Sequence, residues 1–244
     1  VNRSGIPLME IVSEPDLRSP EEARLYVAKL RQILVYLGVC SGNLEEGSMR
    51  LEANISLRPK GSEILGTKIE IKNMNSLRAV RQGLEYEIER QAKVLREGGA
   101  LRQETRGWDE GAGRTVGQRV KESAEDYRYF PEPDLPPLIL SRQWVEEIRA
   151  KLPELPEAKR DRFMSRYGRS RYDATNLIAE RETADYFEAV AREYPHPKAA
   201  ANWITGQFFR LLRGSKYTIS TSLVKPHDLA EFLREIVTGK ISIS

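Results

Sequence analysis

The chain has one cysteine, Cys40, in 244 residues. A single thiol makes no internal disulfide and cannot alone hold a metal, so a disulfide scaffold and a cysteine-based zinc site are excluded and a reducing compartment, the cytoplasm, is expected. Histidine is nearly as scarce, with His196 set between prolines and His227 following Pro226. Neither has a serine or cysteine motif partner, so triad-type nucleophilic hydrolysis finds no support. No apolar run approaches the roughly 20 residues needed to cross a membrane. The first residues, VNRSGIPLME, lack a basic region followed by an apolar one, so no secretory leader is read. Phosphate-loop and dinucleotide-fold glycine motifs are also missing, so any nucleotide site has to be carried by a sheet face. The missing initiator methionine and the stop directly after GKISIS lead to the expectation of a fragment.

What is present suffices for a sizeable core: 40% of residues are hydrophobic and 31% charged, in a length suited to one or two domains. The formal net charge of +3 hides a division. Up to residue 140 there are 21 basic and 22 acidic side chains, and beyond it 18 and 14. The proline-rich FPEPDLPPL, Phe130 to Leu138, lies at the change and marks a boundary near 140. Ser19-Pro20-Glu21-Glu22 carries a helix-start signature, and Ala23, Tyr26, Val27, Leu30, Leu34 and Leu37 recur at helical spacing until Gly38. A second helix is expected from about Ser76 to Glu97, with Leu77, Val80, Leu84, Ile88 and Leu95 as its apolar stripe and Gly98-Gly99 ending it.

The strand signals point to chemistry. From Ser48 to Arg58, Met49, Leu51, Ala53, Ile55 and Leu57 alternate with Arg50, Glu52, Asn54, Ser56 and Arg58, so a period of two puts the polar set on one face. A turn at Pro59 to Ser62 precedes a second alternation, with Ile69 and Ile71 inward and Lys68, Glu70 and Lys72 outward, and an antiparallel hairpin is the economical reading. Carboxylates among cations on a rigid sheet suit Mg²⁺ held between phosphate oxygens. The bland alternative is a solvated face with cross-strand ion pairs. Leu8 to Glu14, if extended, places Glu10 and Glu14 on the side of Leu8 and Val12, which suggests a covered site. Beyond 140, six short helical periodicities run from Trp144 to Val237. Within them Lys159 to Tyr172 carries six basic residues against one acidic, interleaved with Phe163, Tyr167 and Tyr172. That pattern fits an RNA-binding face, and equally a helix whose arginines are solvated while its aromatics pack inward.

Several segments together resemble one family. VNRSGIPLMEIVSEPDLRSPEEA, NLEEGSMRLEANISLRP, GTKIEIKNMNSLR, EYEIERQ, QETRGWDE and DYRYFPEPDLPPL, in this order, are similar to the B subunits of aspartyl/glutamyl-tRNA(Asn/Gln) amidotransferases. PELPEAKRDRF, SRYDATNL, ADYFE, AANWITGQ and LREIVTGKIS resemble the rest of that family more loosely. The resemblance implies an α+β fold: part of a glutamine-synthetase-like cradle, an antiparallel sheet with long helices, over residues 1–140, then an all-α helical domain over 141–222 and the start of a tRNA-binding tail over 223–244. It implies a carbon–nitrogen ligase that turns Glu-tRNA(Gln) or Asp-tRNA(Asn) into the amide with ATP and Mg²⁺ through an acyl phosphate. The implied partners are an amidase (the A subunit) that hydrolyses glutamine, a small C subunit and the mischarged tRNA, with no membrane.

Carried over by position, Glu10 in PLMEIVSEP, Glu52 in RLEAN and Glu70 in IEIKN are the implied catalytic carboxylates, Glu10 and Glu52 being the implied metal ligands. Arg50, Asn54, Lys72 and Asn73 are the phosphate-contact candidates, and Lys159, Arg160, Arg162 and Arg166 the tRNA-contact candidates. The family more often has Cys-Asp at the positions of Leu51-Glu52, so the carboxylate here sits on a side chain one methylene longer. Family members also carry an N-terminal stretch before the NRSG motif with further metal ligands, a histidine among them, so this chain alone is expected to lack amidotransferase activity. The different-class alternative is a tRNA-binding or assembly module without chemistry of its own.

Overall fold

A computed structural model describes residues 8–120, 134 and 136–241. Its chain divides into two compact units. The first takes the residues up to Lys29 and then those from Asn43 through a four-stranded sheet; the second takes Leu30–Gly42 and the helices after residue 136.

In the first unit, β1 (Ala53–Ile55) pairs antiparallel with β2 (Ile69–Lys72), β2 pairs parallel with β3 (Glu104–Asp109), and β3 pairs antiparallel with β4 (Arg114–Val120). The hairpin read from the alternation is there, but the all-antiparallel sheet is not: α2 (Leu77–Arg96) carries the chain from β2 back to β3, and such a crossover delivers a parallel neighbour. The expected strand over 48–58 narrows to three ladder residues because β2, its partner, is only four long. Alternate exposure nonetheless continues upstream, with Arg50, Glu52 and Asn54 exposed and Leu51, Ala53 and Ile55 partly buried.

Ser76 starts α2 by accepting a hydrogen bond from the Ala79 backbone N–H, as an N-cap should. Ala79, Val80 and Leu84 then pack with Ile71, Met74 and Trp108. The second half of the helix departs from the expected stripe. Leu95 is exposed, whereas Glu87 and Gln91 are fully buried. Glu87 accepts from Arg90 (3.0 Å), from the Thr115 hydroxyl (2.8 Å) and from Gln91 (3.1 Å), and lies 3.5 Å from Arg106. Arg106 also donates to Glu104 at 2.8 Å. A buried carboxylate is tolerated only when charge and hydrogen-bonding capacity are both met, and strand β4 supplies the threonine that completes the set.

The second unit is helical: α3 (Arg142–Ala150), α4 (Pro156–Tyr167), α5 (Arg171–Leu177), α6 (Arg181–Glu193), α7 (Pro197–Trp203), a π-turn (Ile204–Phe208), α8 (Phe209–Arg213) and α9 (Pro226–Val237). The six expected periodicities all fall on helix, the longest one broken by the π-turn. Phe163, Tyr167 and Phe187 meet edge to face at 5.1–5.6 Å in its core, beside Leu177, Val190, Ile204 and Leu233. The end of α1 (Pro20–Tyr36) joins this unit, where the buried Tyr36 hydroxyl donates to the Ile178 carbonyl at 2.8 Å and burial pushes its ionisation far up. His227 on α9 pairs with Glu193 on α6 (2.6 Å), which raises its affinity for a proton above the ordinary value near 6.5.

Glu87→Ala leaves Arg106, Arg90 and Thr115 without their shared acceptor and should cost about 3–5 kcal/mol, read as a lower denaturant midpoint, while Glu85→Ala, on the exposed face, should be near neutral. The His227 contact is complete below the unfolded imidazole pKa and fades as pH rises through the higher folded one. An NMR titration of His227 should therefore show a midpoint above 6.5 that falls toward 6.5 in Glu193→Gln.

Candidate functional site

The polar side of the sheet is built by register. Asn54 stands opposite Glu70, Glu70 opposite Thr105, and Lys72 opposite Gly107. Because Ile69 and Ile71 are fully buried on the other side, Glu70 and Lys72 have to project from this one. Lys72 Nζ lies 3.0 Å from Glu52 Oε1 and 3.7 Å from Glu70 Oε1, so one ammonium faces two carboxylates, one on its own strand and one just ahead of β1. The Thr105 hydroxyl, 5% exposed, donates to Glu70 Oε2 at 2.7 Å. Glu70 is thus the fixed carboxylate, with its side chain 16% exposed, and Glu52, at 47%, the freer one. Asn73 ends β2 in the left-handed region (φ 64°), a conformation asparagine accepts more readily than most residues. Its amide and that of Gln118 both close over Gly107, the bare backbone position beside Lys72.

The structure therefore brings together Glu52, Asn54, Glu70, Lys72 and Asn73 on one strip. Arg50 precedes them with its side chain exposed. Glu10 is not among them. It lies in an irregular, exposed stretch with Leu8 at 89% and Val12 at 75% exposure, so the covered site expected around Glu10 and Glu14 is not formed: no ladder partner holds the stretch extended and no core receives its apolar side chains among the described residues. Among the described residues no three His, Cys, Asp or Glu side chains converge as a metal cage. The Glu52–Glu70 pair still fits a divalent cation of the kind that takes one or two carboxylates and fills its remaining positions with phosphate oxygens and water, since both carboxylates already converge on a single cation. Thr105, Gly107 and Gln118 were not singled out from sequence. The signal available was the alternation in ETRGWD followed by the glycine turn at 111–113.

The basic stretch on α4 is placed differently from its composition. Lys159 is buried and sits 2.6 Å from Asp185 and 3.5 Å from Glu188. Arg162 forks between Glu188 (2.6 Å) and Glu154 (2.8 Å), and its guanidinium holds the Glu188 carboxyl below the usual carboxylate range. Arg160 pairs with Asp161 at 2.8 Å, while Arg166 lies over the Tyr167 ring and is exposed. Three of the four cations expected to meet RNA thus have an internal carboxylate: Lys159 and Arg162 pair with acids of α6, and Arg160 with Asp161 of its own helix. Elsewhere in this unit the balance reverses. From Tyr194 to His227 the sequence contains no Asp or Glu but has Lys198, Arg210, Arg213, Lys216 and Lys225. The π-turn lies in that stretch, where Thr205, Gly206, Gln207, Arg210 and Arg213 line an open groove of about 580 Å³.

Comparison with known proteins gives a consistent result. A family model described as the GatB/GatE catalytic domain matches residues 1–146, and one described as a GatB domain matches 185–244. The chain is 59% identical to the aspartyl/glutamyl-tRNA(Asn/Gln) amidotransferase B subunit of Herpetosiphon aurantiacus over 98% of its length and 50% of that protein's. It is 53% identical to the B subunit of Carboxydothermus hydrogenoformans over 99% and 50%, and to that of a Roseiflexus species over 99% and 51%. The chain spans about half the length of the curated relatives it matches.

Arg162→Ala strands Glu154 and leaves Glu188 with Lys159, and is expected to lower stability by about 2 kcal/mol, less than a fully buried pair because the side chains keep some solvent, whereas Arg166→Ala should change stability by less than about 0.5 kcal/mol.

Proposed function

The chain belongs to the GatB family of aspartyl/glutamyl-tRNA(Asn/Gln) amidotransferase B subunits, and we propose that it serves as the part of such an enzyme that activates the side-chain carboxylate of a mischarged aminoacyl-tRNA. The observation that carries this reading is the sheet face on which ladder register sets Asn54 beside Glu70 and fixes Lys72, with Glu52 ion-paired to Lys72 and Asn73 directly following β2. A carboxylate is a poor acyl donor, so amide formation needs it converted first to an acyl phosphate with ATP as phosphoryl source. Ammonia then attacks the carbonyl carbon and phosphate leaves. Phosphoryl transfer asks a protein for positioned charge rather than for a covalent nucleophile, in keeping with a sequence whose two histidines have no serine or cysteine motif partner.

In this reading the Lys72 ammonium neutralises negative charge on the transferring phosphoryl oxygens, and the Asn54 and Asn73 amides hold phosphate or hydroxyl oxygens at the edges of the strip. Glu52 and Glu70 would hold Mg²⁺, whose contribution is to offset charge on the phosphate chain. The ammonia comes from glutamine hydrolysed by a partner amidase, with a small C subunit completing the assembly. The subunit designation carried by the relatives supports a multi-subunit enzyme.

For tRNA, the geometry favours the stretch free of carboxylates around the π-turn over the paired cations of α4. Arg210 and Arg213 border an open groove there, whereas Lys159 and Arg162 are held by acids of their own chain. Cations clustered where the neighbouring sequence carries no Asp or Glu are what a phosphodiester backbone needs, and each phosphate contact adds to the salt dependence of binding.

The test is tRNA-dependent ATP hydrolysis by the assembled enzyme. Glu52→Gln and Glu70→Gln should each lower it by at least roughly tenfold, in line with losing a charged contact to the reacting centre. Unchanged hydrolysis in both variants would transfer the chemistry away from this strip. Arg210→Ala with Arg213→Ala should weaken tRNA affinity and flatten its salt dependence by about two phosphate contacts, and an unaltered slope would remove RNA from that groove.

A further inference from the structure

The strip has a feature that an ordinary surface ion pair does not explain. A single exposed Lys–Glu contact contributes little to stability. Here one ammonium is shared by two carboxylates, 3.0 Å from Glu52, just ahead of β1, and 3.7 Å from Glu70 on β2. Two carboxylates drawn toward one point repel each other, so the cation between them keeps them there. The two acids are also held unequally. The nearly buried Thr105, paired in register with Glu70 across the parallel ladder, fixes one Glu70 oxygen at 2.7 Å and leaves the other facing the lysine. Glu52 and Lys72 keep more solvent, their side chains being 47% and 39% exposed.

A divalent cation bound through this pair and the lysine ammonium would compete for the same two carboxylate oxygens. We propose that Lys72 is a placeholder counter-ion, holding Glu52 and Glu70 toward one another and ceding its place to the divalent cation as it moves onto the phosphate chain, while Thr105 keeps Glu70 where it is. This deepens the reading of the strip as a phosphate-handling site and rests on it. Its consequence is coupling: metal alone is opposed by the ammonium, whereas metal arriving with a phosphate chain gives the ammonium a new anionic partner, so nucleotide and metal bind together or weakly. Lys72 and Thr105 are then positioning residues for the metal-bearing pair, in addition to any contact Lys72 makes with phosphate.

Mn²⁺ can be used as the probe, with its binding to the assembled enzyme followed by water-proton relaxation with and without ATP. The parent enzyme should bind Mn²⁺ alone weakly and much more tightly with ATP. Lys72→Met should tighten binding of Mn²⁺ alone by roughly tenfold, since it removes a positive charge within about 4 Å of the site. The same variant should shrink the enhancement by ATP. Lys72→Arg, which keeps the charge, should behave as the parent does. Adding Thr105→Val to Lys72→Met should give back part of the gain, and adding Thr105→Ser should not. Two results would overturn the proposal at different levels. If Lys72→Met binds Mn²⁺ alone no more tightly than the parent while Glu70→Gln weakens Mn²⁺·ATP binding, the placeholder role is wrong and the site stands. If neither Glu52→Gln nor Glu70→Gln alters binding of Mn²⁺ or Mn²⁺·ATP, the site itself is wrong and the placeholder with it.

Discussion

The parallel pairing of β2 with β3 is the constraint on which the first unit depends. It sets Glu70 beside Thr105 and Lys72 beside Gly107, and it exists because α2 returns the chain to the starting end of the sheet before β3 begins. A slip of one residue in this register would turn Ile69 and Ile71, now fully buried, toward solvent and bury Glu70 and Lys72 in their place. The hydrophobic side of β2 thus fixes the polar side, and the geometry of the candidate site is a by-product of how the core closes.

The two faces of the sheet use carboxylates in opposite ways. On the helix side Glu87 is surrounded by Arg90, Arg106, Gln91 and Thr115, and its oxygens are committed to hydrogen bonds within the unit. On the other side Glu52 and Glu70 share one lysine and keep solvent access. Satisfied and buried, the first group secures β3 and β4 against α2. Shared and partly open, the second is able to exchange its partner for a ligand. Unit two repeats the contrast between α4, where Lys159 and Arg162 are paired with acids of α6, and the stretch from Tyr194 to His227, whose sequence contains no Asp or Glu.

Local order was legible in the residues, and tertiary partnership was not. Period-two alternation placed Ile69 and Ile71 inside and Glu70 and Lys72 outside, and Ser76 was identified as the start of α2, because each depends on residues a few positions apart. The parallel ladder escaped notice since it joins residues 35 apart, as in Glu70 and Thr105. The stripe failed at Leu95, which is exposed, for a related reason: Glu87 and Gln91 look solvent-facing until Thr115 and Arg106 arrive from other strands to receive Glu87. Counting charges on α4 overstated its freedom, as Asp185 and Glu188 neutralise Lys159 and Arg162 from another helix. Spacing made Glu10 part of a covered site and resemblance made it a metal ligand; the structure shows the stretch that carries it irregular and exposed. The family itself was readable from motifs covering most of the first 140 residues, and the matches over 1–146 and 185–244 agree with it.

In the proposed division of labour an ordered, half-open strip handles phosphate and charge while a helical stretch without Asp or Glu in its sequence meets a polyanion. The most direct measurement is chemical trapping of the activated carboxylate. With hydroxylamine in place of ammonia, the assembled enzyme should convert the glutamate of Glu-tRNA(Gln) to its side-chain hydroxamate only when ATP is present, and the Glu52→Gln, Glu70→Gln double variant should make almost none while keeping its sheet fold. Hydroxamate formed at the parent rate by the double variant, or formed without ATP, would contradict the account.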